Sequence, residues 1–222
     1  MIPLRSSEPI HSRTPAVLAL IVINALVFLY QLSLGRQLPG FAATWGIVPD
    51  TVNQNLYSLF TTMFLHGGWL HILSNMLFLW VFGRNLEDRI GSRNFVLLYV
   101  ACGLAAGVIH VIANPYSRIP TIGASGAIAG IMGAYPIKFP KTDIDALFWL
   151  IFVWRMSIPA PYFLIYWFGI QFFSGVGSIG EVDYTGGGVA WFAHIGGFLA
   201  GMALIRLFKD TRPSFRAWYE ED

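Results

Sequence analysis

The sequence predicts an all-α membrane protein, a bundle of six transmembrane helices with a membrane-associated first outer loop. Three observations predict it. Of 222 residues, 55% are hydrophobic and 12% charged, with a mean hydropathy of +0.59; soluble domains carry roughly 25% charged residues. Six apolar runs each approach the roughly 20 residues that cross the hydrocarbon of a bilayer. The cations are distributed unequally between the two sides that those runs define. The net charge of +2 says little by itself, and no nucleic-acid partner is expected.

The elements follow in order. Residues 1–14 are a short polar tail. The first span is about Pro15–Leu34; its apolar run exceeds the roughly 7–15 residues of a secretory signal core. An outer loop of about Gly35–Gly68 carries Trp45, Tyr57, Phe60 and Phe64. Such aromatics suit a membrane–water interface, and long loops without a task are uncommon, so short helices partly in the outer leaflet are expected. The second span is about Trp69–Glu87 and the third Phe95–Ala113. The third holds Cys102, the single cysteine, which excludes an internal disulfide framework and reads as inert packing. The fourth span is about Gly123–Phe139. Ile144–Trp154 is apolar but about half a span long, and reads as interfacial or re-entrant between Lys138, Lys141 and Arg155. The fifth span is about Pro159–Val176. A glycine-rich loop, Gly175–Gly188, leads to the sixth, about Val189–Phe208. Residues 15–208 thus form one membrane domain, and 209–222 a second polar tail.

Charge tests this topology. With the N-terminus in the cytoplasm, Arg36 and Arg118 fall outside. The other twelve of the fourteen Lys and Arg residues, among them Arg84, Arg89, Arg93, Lys138, Arg206 and Lys209, fall inside. Such a bias is the positive-inside pattern, and one missed span would reverse the later loops and abolish it. Both termini are expected in the cytoplasm.

Polar residues inside the spans are the candidate chemistry. Ser125 sits in the run Gly123-Ala124-Ser125-Gly126, and His194 in Ala193-His194-Ile195-Gly196-Gly197. Gly126, Gly130 and Ala134 recur every four residues on the serine helix, as do Ala193, Gly197 and Gly201 on the histidine helix. Small faces of this kind let helices approach closely in lipid. An ionisable residue inside a membrane usually faces a cavity or a partner. His71 and Asn75 stand four apart, on one face of the second span. Spans two, four and six run in the same direction, so Ser125, His194 and His71 lie at similar depth near the outer end. A serine hydroxyl needs a base to accept its proton, and histidine suits that task near neutral pH. The His71 ring, the Asn75 amide and the Ser125 N–H can donate to an oxyanion. No acid lies near them on these three spans, so the pattern reads as a Ser–His dyad, with no cofactor and no metal.

The chain resembles the rhomboid family of intramembrane serine proteases, of the bacterial six-span type. The resemblance runs from about Leu56 to Leu204. It rests on His71-x-x-x-Asn75, on Gly123-Ala124-Ser125-Gly126, on Ala193-His194-x-x-Gly197-x-x-x-Gly201, and on Gly83-x-x-x-Glu87-x-x-x-Gly91 with Arg89. It implies Ser125 as nucleophile, His194 as general base, and His71, Asn75 and the Ser125 N–H as the oxyanion hole. Glu87, Arg89, Gly197 and Gly201 would be structural, and His66 would brace the first outer loop. His11 and His110 match no motif. It further implies single-span transmembrane proteins as substrates, cut near the outer end of their membrane segment at small residues, with lateral access past span five. The expected location is the cell membrane, as a multi-pass protein of the bacterial inner membrane. The alternative is a catalytically inactive relative that binds or escorts membrane proteins; a transporter or metal-handling protein would use His66, His71 and His194.

Two departures from the family pattern matter. Tyr57-Ser58 stands where many relatives carry Trp-Arg. Ala129 stands where relatives often place an aromatic beneath the histidine, so Trp191 or Phe192 would have to orient His194.

Overall fold

In a computed structural model, which describes residues 1–149, 153–177 and 190–211, the protein is a helical membrane bundle closed at one end by a small sheet. The long helices are α1 (Pro15–Ser33), α6 (Ser92–Ala113), α7 (Ser125–Lys138), α8 (Ala160–Gly177) and α9 (Trp191–Leu204). Between α1 and α6 come α2 (Leu38–Trp45), α3 (Ser58–Thr61), α4 (Trp69–Phe78) and α5 (Arg84–Ile90). A wider π-type turn at Leu79–Gly83 joins α4 to α5, so the expected second span is one continuous helical path.

Among the described residues, α1 and α6 alone are long and apolar enough to cross a membrane unaided. The path from Ser58 to Ile90 meets the same measure but bends by 94° at its break before Trp69. α7 has 14 residues, about 21 Å at the usual helical rise against a hydrocarbon core of roughly 30 Å. It is short because the backbone before Ser125 is not helical. Irregular backbone at membrane depth is tolerated only where protein covers it, and every residue from Gly126 to Tyr135 is buried.

The small faces behave as their spacing predicts. A Cβ on Gly197 would collide with the Gly126 carbonyl, and one on Gly201 with the Gly130 carbonyl. A Cβ on Gly133 would meet the Phe198 carbonyl, and one on Gly130 the Cys102 side chain. The α7–α9 seam is therefore backbone against backbone, with α6 closing its far side. Cys102 is fully buried in that packing.

The segment around Ile144–Trp154 departs from its expectation. Its described residues are strands, which replaces the re-entrant alternative of that reading. Strands β2 (Asp143–Trp149) and β3 (Val153–Pro159) form an antiparallel hairpin, and β1 (Ile2–Ser6) from the N-terminal tail adds to its edge. The physical reason is alternation: Ile144 and Ala146 are buried while Asp145 and Leu147 are not, the period of two of a half-buried strand. Asp145 accepts from Arg5 and Arg155, each at 2.6 Å. Arg155 and then Arg5 hold its carboxyl below the usual range, at about 2.

This pairing also tests the span count. β1 precedes α1 and β2 follows α7, so the two lie at one end of the bundle. Arg89 pairs with Glu8 at 3.0 Å and with Asp210 at 3.4 Å, and Lys138 also pairs with Asp210. The chain before α1, the α5–α6 junction, the end of α7 and the end of α9 therefore share that end. Nearby, Glu87 accepts the N–H groups of Ala16 and Val17 at 2.9 and 2.8 Å and the Ser92 hydroxyl at 2.6 Å. A buried carboxylate there satisfies donors at the α1 N-terminus that have no acceptor within the helix.

The opposite end carries the first loop. Tyr30, Phe41, Trp45 and Tyr57 make consecutive ring contacts at 5.7, 6.2 and 5.5 Å, laying α2 against the end of α1.

Candidate active site

Ser125 is the first residue of α7, and the segment before it is fixed from the first loop. Thr121 exchanges two backbone hydrogen bonds with Ile47, at 2.9 and 2.7 Å. The Thr62 hydroxyl donates to the Thr121 carbonyl at 2.7 Å, and the Gly123 N–H donates to the Thr62 carbonyl at 3.0 Å. Gly123 has φ +138°, a region that L side chains rarely adopt. As a result Ser125 is half-buried at a helix N-terminus, and its N–H is one of the donors there with no intrahelical acceptor.

His194 lies across the α7–α9 seam. Its Nε2 is 2.7 Å from Ser125 Oγ. The short distance follows from the seam itself, since Gly126 and Gly197 leave no side chain to hold the two helices apart. The ring is nearly buried, at 9% exposure. Its other nitrogen, Nδ1, lies 2.7 Å from Gln171 Oε1 on α8. Trp167, one turn before Gln171, faces the ring at 5.9 Å, and Trp191 meets it edge-on at 6.4 Å. Of the two aromatics expected to orient His194, Trp191 is in ring contact. The direct polar partner, Gln171, comes from the fifth span, where no acid or histidine drew attention. A lone glutamine in an otherwise apolar helix was the signal that could have found it.

His71 and Asn75 both sit on α4. The Gly67 N–H donates to His71 Nδ1 at 3.2 Å. A neutral ring so engaged carries its proton on Nε2. That nitrogen borders a gap kept open by Gly123: a Cβ there would lie 2.8 Å from His71 Nε2 and 3.5 Å from Ser125 Oγ. Asn75 is 6% exposed, and its Nδ2 is buried without a hydrogen-bond partner among the described residues. Buried donors are rarely left unpaired, which sets this amide apart from the other side chains of α4.

His66 lies in the loop between α3 and α4. Its backbone is braced by the Gln31 side chain, which donates to the His66 carbonyl at 3.1 Å and accepts the His66 N–H at 2.9 Å. Its ring packs edge-on against His71 at 5.1 Å. Burial, with His71 adding to it, pushes the ring down to about 3 and keeps it neutral. Glu87 and Arg89 lie at the sheet end, away from Ser125, and Gly197 and Gly201 lie in the seam. His110 bonds Thr121 Oγ1 at 2.8 Å through Nε2. It lines a cavity of about 30 Å³ beside Ser125, whose wall mixes Gly103, Ala106, Gly126 and Ala193 with Ile47, Met63 and Ile122. Most of the expected Gly175–Gly188 loop falls outside the described residues.

A family model described as "Rhomboid domain" matches residues 53–210, well over half of the chain. The rhomboid protease GlpG of Klebsiella pneumoniae is 29% identical over 204 residues, covering 90% of this chain and 65% of that protein. RHOMBOID-like protein 5 of Arabidopsis thaliana is 30% identical over 148 residues, 67% of this chain and 42% of the relative. The rhomboid protease GluP of Bacillus subtilis is 40% identical over 78 residues, 35% of this chain and 15% of the relative. The chain spans between two fifths and two thirds of the length of the first two relatives. A helical membrane bundle, the ordered motifs and a family match over residues 53–210 lead to one assignment: this multi-pass membrane protein belongs to the rhomboid family.

Proposed function

We propose that the chain is an intramembrane serine endopeptidase that works through a Ser125–His194 dyad. The observation that carries the reading is the 2.7 Å contact between Ser125 Oγ and His194 Nε2 across a glycine seam. In the first step the Ser125 hydroxyl attacks a peptide carbonyl while its proton passes to His194 Nε2. The carbonyl oxygen becomes an oxyanion in the gap at Gly123, with His71 Nε2–H, Asn75 Nδ2–H and the Ser125 N–H as donors. Donors of this kind are worth about 10²–10³ each in rate. His194 then gives its proton to the departing amine, leaving an acyl-enzyme on Ser125. Water, deprotonated by His194, releases the acyl group and restores the serine.

The proposed substrates are single-span membrane proteins cut near the outer end of their transmembrane segment. The cavity beside Ser125 is small, about 30 Å³, which supports small residues at the cleaved position. The cleaved segment must be unwound, because a helical carbonyl is engaged in its own helix. The charge bias supports both termini in the cytoplasm and a cell-membrane location. Access past α8 is part of the same proposal.

Purified protein incubated with a model transmembrane substrate tests it, beside Ser125→Ala and His194→Ala. Cleavage and fluorophosphonate labelling are expected for the wild type and for neither variant. Cleavage that persists in Ser125→Ala overturns the dyad. A wild type that neither cleaves nor labels leaves the binding or escort role as the reading.

A further inference from the structure

We infer that Gln171 is the positioning residue of the proposed base, completing a Ser125–His194–Gln171 relay with a neutral amide in the third place. The inference rests on the dyad proposed above.

Gln171 is the one amide or charged side chain among the described residues of α8, Ala160–Gly177. It is 6% exposed, in a helix whose outward face carries Tyr162, Ile165 and Phe173 at 69%, 66% and 75% exposure. A buried amide in such a helix is costly unless it is paired. Its pairing is with His194 Nδ1 at 2.7 Å.

The chemistry of the pairing is directional. Oε1 of an amide only accepts, so Nδ1 carries the proton. A neutral imidazole protonated at Nδ1 presents a lone pair at Nε2, and that atom faces Ser125 Oγ at 2.7 Å. The chain of donors then runs one way, from the Ser125 hydroxyl to Nε2 and from Nδ1 to Oε1. Trp167 and Trp191 confine the ring from two sides, so that the amide sets the tautomer and the aromatics limit rotation. An amide brings no negative charge to the imidazolium formed during catalysis. Its contribution is orientation, not ion pairing.

A second consequence follows from the elements involved. The serine and the histidine sit on α7 and α9, locked by the glycine seam. The amide sits on α8, which follows directly from β3. The position of α8 therefore governs the state of the base, while the Ser–His distance is held elsewhere.

The test uses the full-length protein and the model transmembrane substrate. Gln171→Met keeps the length and removes the acceptor; Gln171→Glu restores an acceptor. The expected result for Gln171→Met is a fall in kcat of about 10- to 100-fold, by analogy with losing the outer partner of a metal-bound histidine. KM and Tm should stay near wild type. The ¹⁵N resonances of His194, identified by comparison with His194→Ala, should shift from the Nδ1-protonated tautomer to a mixture. Gln171→Glu should recover most of the lost kcat. Unchanged kcat and unchanged tautomer in Gln171→Met overturn the inference, as does a parallel loss of kcat and Tm with the tautomer unaltered. Ser125→Ala separates the two levels. If it abolishes cleavage while Gln171→Met is silent, only the positioning role falls. If it leaves cleavage intact, the dyad itself falls.

Discussion

Gly197 of α9 presses against the carbonyl of Gly126, the residue that follows Ser125 on α7, with no room for a Cβ between them. The seam and the candidate site are therefore one structure: His194 is three residues from Gly197, and Ser125 is one from Gly126. A methyl group at this contact must push the helices apart near the reacting atoms. Gly197→Ala is expected to destabilise the fold by about 1–3 kcal/mol, the usual cost of overpacking. It should reduce cleavage more than stability explains, because the 2.7 Å Ser125–His194 contact opens. Thermal unfolding and cleavage rates measured on one preparation check both.

The Asn75 amide gives a prediction of opposite character. Its Nδ2 is buried and has no hydrogen-bond partner among the described residues, so removing it breaks no hydrogen bond described there. Asn75→Ala is expected to lower kcat by about 10²–10³, as for the loss of one oxyanion donor. Tm should hold or rise. A large fall in Tm with a small fall in kcat would make Asn75 a packing residue.

His66 yields a pH dependence. Its folded ring is held near 3, whereas an unconstrained histidine titrates near 6.5. Between those values the unfolded chain binds a proton that the folded chain does not, so stability falls as pH drops from about 6.5 toward 3. Above about 6.5 the ring is neutral in both states and this dependence is absent. His66→Phe, which needs no proton, should flatten that part of the Tm–pH curve in detergent. A curve that keeps its acid slope in His66→Phe assigns the slope to other groups.

Much of the site was legible because membrane sequences are severe on polar residues. Ser125, His71, Asn75 and His194 stand out from apolar runs, and the four-residue glycine spacing names the faces that meet. Gln171 did not stand out, because a glutamine has no motif and its meaning lies in what it touches. The spacing argument covered spans two, four and six, and Gln171 approaches from the fifth. The hairpin was missed for a related reason. Ile144–Trp154 is apolar on average, and average hydropathy hides the alternation that lets Asp143–Trp149 pair with β1.

By itself the sequence determined the solvent and the chemical groups, because lipid permits few polar residues. Only the tertiary structure decided which atoms meet. The Gly123 backbone that opens a gap beside His71, the strand from the N-terminus and the amide that holds His194 all depend on contacts between segments far apart in the chain. No local pattern encodes such contacts, since each exists only when the helices have packed.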